Sequence, residues 1–254
     1  MGTAHSKLLE RGRAFRRALT ETDRAEVVQA RTLFQLASLL PAVLYYLRIG
    51  HRDRPPKFPA TISWTIRAGL PKWLHYVIWS GGWARMYAIF QRRGDGFAKR
   101  FAQQMYATGV ITTMLASLGK SEILDAIHFV GAAAYMIDHH ILFYYLNTKR
   151  IYRHTFYWSF AALVYFLEQA KKMGVTSEGG PNASAVREAL LAKMTPAQRR
   201  KLWWIEAGIM LFENAMFVGF VAGMASGLTD DLGPALEDSS AATDDDDDGD
   251  RKNE

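Results

Sequence analysis

Apolar residues fall in six blocks along the chain, separated by short charged breaks: Thr32–Leu47, Leu70–Phe90, Phe101–Leu118, Ile123–Leu146, Thr155–Leu167 and Leu202–Leu228. The third, fourth and sixth blocks are apolar around most of a helical turn, not along one stripe. That is the pattern of a helix without an aqueous face. Tyr and Trp crowd the block ends, as at Tyr45, Tyr46, Trp73, Tyr144, Trp203 and Trp204, where an amphipathic ring suits a membrane–water boundary. No run alternates with a period of two, and no tight-turn dipeptide joins two alternating runs, so strands are not expected. The pattern predicts an all-α, polytopic transmembrane bundle of about six helices. A hydrocarbon core needs roughly 20 helical residues. The first and fifth blocks are shorter, which keeps a soluble helical bundle as the competing reading. Thr195-Pro196-Ala197-Gln198 supplies an N-cap, a proline at the first helical position and a capping-box partner, and so predicts the start of the last helix.

Charge divides the chain in three. Residues 1–31 form a basic segment expected on the cytosolic side, 32–228 the six-helix domain, and 229–254 an acidic tail with five consecutive aspartates, Asp244–Asp248. The tail has too little apolar surface to offset ordering entropy and is expected to be disordered. Mean hydropathy is −0.09 only because polar residues concentrate at the ends and in a few loops. The calculated pI is about 9.5. Lys and Arg nevertheless cluster at block ends, as membrane flanks do, and not in a phosphate-tracking stripe, so no nucleic-acid partner is expected. There is no cysteine, which excludes disulfides, thiolate-bound zinc and a thiol nucleophile.

Two motifs orient the chain. "MGTAHSK" matches a myristoylation pattern with Gly2 as acceptor, and the basic residues after it would supply the second membrane signal that one acyl chain needs. The sequon Asn182-Ala183-Ser184 lies in the loop before the last block. Myristoylation is cytosolic and glycosylation lumenal; with six spans and a cytosolic start the two agree, placing both termini in the cytosol.

The apolar blocks contain ionisable residues, which are costly in a bilayer and usually pair inside the bundle. The fourth block, "HFVGAAAYMIDHHILFYY", carries His128, Asp138, His139 and His140. Asp125 and His128 share a helical face with His139, eleven residues on, and Gly131 and Ala132 on that block permit close helix approach. Glu206 and Glu213 share a face of the last block; His75 and Arg85 lie in the second. The expectation is one polar network of His128 with Glu213 or Glu206, with Arg85 as counter-charge. Asp138, His139 and His140 would form the cytosolic mouth of the same face. Such a network is helix–helix glue, a lipid-headgroup pocket, or a metal or acid–base site. No H-x-x-H or H-x-x-x-H pair, Walker, dinucleotide or G-x-S-x-G motif is present, so a metal is left open and no cofactor is expected.

Pro59, Ile62 and Ser63, then Pro71 before the second block, together with His128, Gly131 and Ala132 in the fourth and Glu213 in the last, resemble a six-span family. Its members are the damage-regulated autophagy modulators and the GPI-anchor remodelling factor called post-GPI-attachment-to-proteins factor 2. Trp64, where the family often has an acidic residue, and Asn214, where it tends to have an aromatic, depart from that pattern. The resemblance covers roughly residues 30–228. It implies a multi-pass protein of the ER–Golgi, lysosomal or plasma membrane, with membrane lipids as partners, acting in lipid organisation or trafficking without established catalysis. An accessory subunit of a larger membrane complex is one alternative, and an intramembrane lipid hydrolase or metal site using His128 is another.

Overall fold

A computed structural model describes residues 2–50, 59–66, 69–115, 122–175 and 183–230. Asn182 and the tail beyond Asp230 lie outside them. The described residues are all helix and connection: α1 (Gly2–Arg17), α2 (Glu21–Tyr46), α3 (Ile62–Thr65), α4 (Gly69–Arg93), α5 (Gly96–Leu115), α6 (Glu122–Tyr145), α7 (Arg150–Lys172), α8 (Ala183–Lys193) and α9 (Pro196–Thr229). Six of these have 20 residues or more. Among them, α2 and α9 are long and apolar enough by composition to cross a membrane.

The helices begin and end where local chemistry dictates. α9 starts on the expected capping box: the Thr195 hydroxyl accepts from the Gln198 N–H, and the Gln198 amide oxygen accepts from the Thr195 N–H. α2 starts eleven residues before the apolar block does, because Thr20 and Asp23 form a second capping box. The helix therefore runs through residue 31, where the basic segment was expected to end. α2, α6 and α7 stop at residues of positive φ, Arg48, Asn147 and Gly174. The next amide in each case reaches back five residues, from Ile49 to Leu44, Thr148 to Phe143 and Val175 to Ala170, which satisfies carbonyls that the helix end would strand.

The long helices pack mostly as antiparallel neighbours. α4 lies between α2 and α5, α6 between α5 and α9, and α9 against both α7 and α2. Glycines set the closest approaches. A side chain on Gly109 would strike Trp79 of α4, and one on Gly82 would strike Phe34 of α2. Gly219, Gly223 and Gly227 recur every four residues on α9 and admit α7 and the α6–α7 turn. The core between these contacts is aromatic: Phe34, Trp79 and Trp83 on one side, Phe143, Phe156 and Phe220 on the other.

α1 crosses one end of the bundle. A Cβ on Gly12 would sit 1.5 Å from the Tyr145 carbonyl oxygen, so α1 rests directly on the end of α6. Phe15 stacks on Phe90 at 4.7 Å. Arg16 is buried and donates to the Leu146 and Asp230 carbonyls at 3.4 and 2.8 Å, and Arg24 donates to the Thr229 carbonyl at 2.9 Å. These are free carbonyls at helix C-termini, where a guanidinium is favoured by both hydrogen bonding and the helix dipole. Asp23, fully buried, binds Arg92 and Arg93 of α4 at 2.9 and 2.7 Å. α2 and α4 are thereby locked together at the same end.

Candidate functional site

Consecutive helical residues point about 100° apart, and Asp138, His139 and His140 consequently go to three places. Asp138 is fully buried toward α5, accepting from the Gln104 amide at 2.6 Å and the Thr108 hydroxyl at 2.9 Å. His139 is buried inward, its ring 3.6 Å from Phe220 and stacked on Phe156. His140 faces outward and shares a 2.6 Å hydrogen bond with the Tyr157 hydroxyl of α7. They do not form one mouth. Two of the three are interior groups of the bundle, with α5, α7 and α9 each supplying partners.

Buried His75 and His139 and half-buried His128 share one device. His75 Nδ1 meets the Ala37 carbonyl, His139 Nδ1 the carbonyl of Tyr135 one turn earlier, and His128 Nδ1 the Thr112 carbonyl at 3.0 Å. A carbonyl oxygen can only accept, so Nδ1 carries the proton in all three. The His75 contact has a clear cause. Pro41 lies inside α2 and has no N–H to give the carbonyl four residues before it, which is Ala37. His75 of α4 donates in its place.

The expected network of His128, Glu206, Glu213 and Arg85 is replaced by separate pairings. Among the described residues no hydrogen bond or ion pair joins these four to one another. His128 turns to α5. Gly131 does permit a close approach, but of α5 through Ile111 and Thr112. Glu206 is buried and held bidentately by Arg187 of α8, at 2.8 and 3.3 Å. Arg85 lies on the surface, bonded to the Gln29 side chain and the Gly81 carbonyl. Position explains this exchange of cations. α8 precedes α9 directly and lays Arg187 beside the first turns of α9, whereas Arg85 sits on the far side of α4 beside α2. Arg187 lies in a polar loop of the sequence and was not among the expected site residues; its helical context was the missing signal. The Asp125 side chain is outside the described residues, and among those described no group of three or more metal-binding side chains converges.

Glu213 has the most distinctive partner. Its carboxylate accepts from the Ile62 N–H at 2.6 Å, at the first residue of the single-turn helix α3. Thr61 caps the same turn through the Trp64 N–H at 3.1 Å. The segment is also pinned to α2: Tyr46 Oη accepts from the Ala60 N–H at 3.2 Å, and Trp64 Nε1 donates to Tyr45 Oη at 2.9 Å. Residues 59–66 therefore lie across the end opposite α1, bridging α2 and α9. Two stretches singled out separately in the sequence, Ile62-Ser63 and Glu213, meet here. Glu213→Gln keeps an oxygen acceptor and should leave the segment in place. Glu213→Leu removes it and should raise amide exchange across 60–66. Equal exchange in the two variants would show that the carboxylate does not anchor the segment.

No family model, curated protein or solved structure matches this chain.

Proposed function

We propose that this chain is a six-span membrane protein that acts, without catalysis of its own, in membrane lipid organisation or trafficking, similar to the autophagy-modulator and GPI-lipid-remodelling family. The observation that carries the membrane reading is the outer surface of the long helices. Each presents a large apolar side chain outward: Leu39 of α2 at 62% exposed, Val77 of α4 at 63%, Ile111 of α5 at 42%, Val130 of α6 at 71%, Trp158 of α7 at 74% and Val218 of α9 at 57%. Water-soluble monomers rarely expose contiguous apolar surface on this scale. The shortest long helix, α5, has 20 residues, about 30 Å at 1.5 Å per residue and enough to cross a hydrocarbon core. The α3 segment held by Glu213 supports the family part of the reading, because it joins two of the three stretches that carry the resemblance. On this reading α1 lies in the cytosol and α8 in the lumen of an endomembrane compartment, or outside the cell.

The chain has no cysteine, so single cysteines can report sidedness without background. Ala14→Cys on α1 and Ala189→Cys on α8 are both at exposed positions. In sealed vesicles an impermeant maleimide should label one of them and leave the other until detergent is added, and in a parallel sample an alkaline carbonate wash should leave the protein in the membrane. Labelling of both from the same side, or release of the protein by the alkaline wash, would end the six-span reading.

A further inference from the structure

Arg16 and Lys149 hold Asp230 at the α1 end of the bundle, by the 2.8 Å bond to its carbonyl and a 2.7 Å ion pair with its carboxylate. That carboxylate also holds the Lys149 ammonium above its ordinary pKa. Asp230 is therefore fixed beside α1, and the last 24 residues of the sequence follow it. They contain ten carboxylates, among them Asp244–Asp248, against two cations, Arg251 and Lys252. α1 carries the opposite charge. Its packed side uses Gly12, Phe15 and Arg16, and Arg11 pairs with Asp95 at 3.7 Å. Lys7, Arg13 and Arg17 remain exposed and without an ion pair among the described residues. Glu10 is the one carboxylate on the helix.

We propose that the outer face of α1 is the docking surface for the chain's own acidic tail, with the Asp244–Asp248 run lying along Lys7, Arg13 and Arg17. The lengths agree. Fourteen Cα-to-Cα steps lead from Asp230 to Asp244, a reach of at most about 46–50 Å, and the whole of α1 is about 24 Å long. Lys7 and Arg17 stand about 15 Å apart along the helix, close to the roughly 17 Å span of five extended residues. Half-buried Lys99 and exposed Arg100 of α5 and exposed Arg150 of the α7 start are the competing cations at this end. They are isolated pairs or single charges, not a row. A tail seated on α1 covers the charges that would otherwise draw this helix to an anionic leaflet.

The test uses the full-length chain in neutral-lipid nanodiscs and a zero-length carbodiimide, which couples carboxylates to lysine amines. Arg13→Lys and Arg17→Lys keep the charge and supply further amines beside Lys7. The expected result is intramolecular coupling of residues 244–248 chiefly to positions 7, 13 and 17. It should be lost when the five aspartates are changed to asparagine, and lost near 1 M salt, where the screening length is about 3 Å. Coupling spread evenly over Lys99, Lys149 and the α1 positions would overturn the proposal. So would coupling only between isotopically distinct copies, or no coupling in neutral lipid, the outcome expected of a face that binds membranes alone.

Discussion

Gly12→Ala should detach α1 from the bundle. The usual effect of this change inside a helix is favourable, by about 1 kcal/mol of propensity. Here the added Cβ would fall 1.5 Å from the Tyr145 carbonyl oxygen and 2.6 Å from its carbon. Backbone cannot swing aside as a side-chain tip can, so either α1 lifts or the end of α6 moves. Overpacking in a fitted site costs about 1–3 kcal/mol, and lifting α1 also forfeits the Phe15–Phe90 stack and the Arg16 hydrogen bonds. The expected result is fast amide exchange over residues 4–17 with the long helices still protected. Ala14→Ser, at an exposed position of the same helix, should change little. Unaltered exchange in α1 of the Gly12 variant would mean that the helix does not rest on α6.

His75→Leu should destabilise the bundle by about 1–3 kcal/mol, the cost of leaving a buried acceptor unsatisfied. The acceptor is the Ala37 carbonyl, which Pro41 cannot serve. The distinguishing result is rescue. Pro41→Ala restores an N–H that can donate to Ala37, so the double variant should recover most of the loss. A thermal-unfolding cycle over the four proteins in detergent then gives a coupling energy of similar size. Independent, additive effects would show that His75 serves some other purpose, such as packing alone. The same pairing explains how a histidine and a proline are both accommodated in the interior of apolar helices: the donor of one answers the deficit of the other.

Helix class was legible in the sequence because it depends on local rules. Among the described residues, one long helix falls on each of the six apolar blocks. The Thr195 capping box starts α9 as written in its four residues, and blocks apolar around a helical turn with no period-two alternation point to helix and not strand. Boundaries were less legible. α2 gained a polar first half because the Thr20–Asp23 box and the Arg92 and Arg93 ion pairs hold it, and two of those partners lie about seventy residues away. The presence of ionisable groups in the apolar blocks was equally plain. Their partners were not. A helical wheel says which residues share a face of one helix, but not which helix that face meets. Such a wheel pairs His128 with Glu213 or Glu206, but the fold turns His128 to the Thr112 carbonyl, Glu213 to the Ile62 amide and Glu206 to Arg187. The sequence by itself determined secondary structure, the charge of the two ends and the need for each buried polar group to find a partner, because these follow from composition and near neighbours. Only the tertiary structure decided which partner each group found. That depends on how close α1, α5 and α8 come to the ends and sides of the other helices, and those distances are set at contacts such as Gly12 on Tyr145 and Gly131 on Thr112 between residues far apart in the chain.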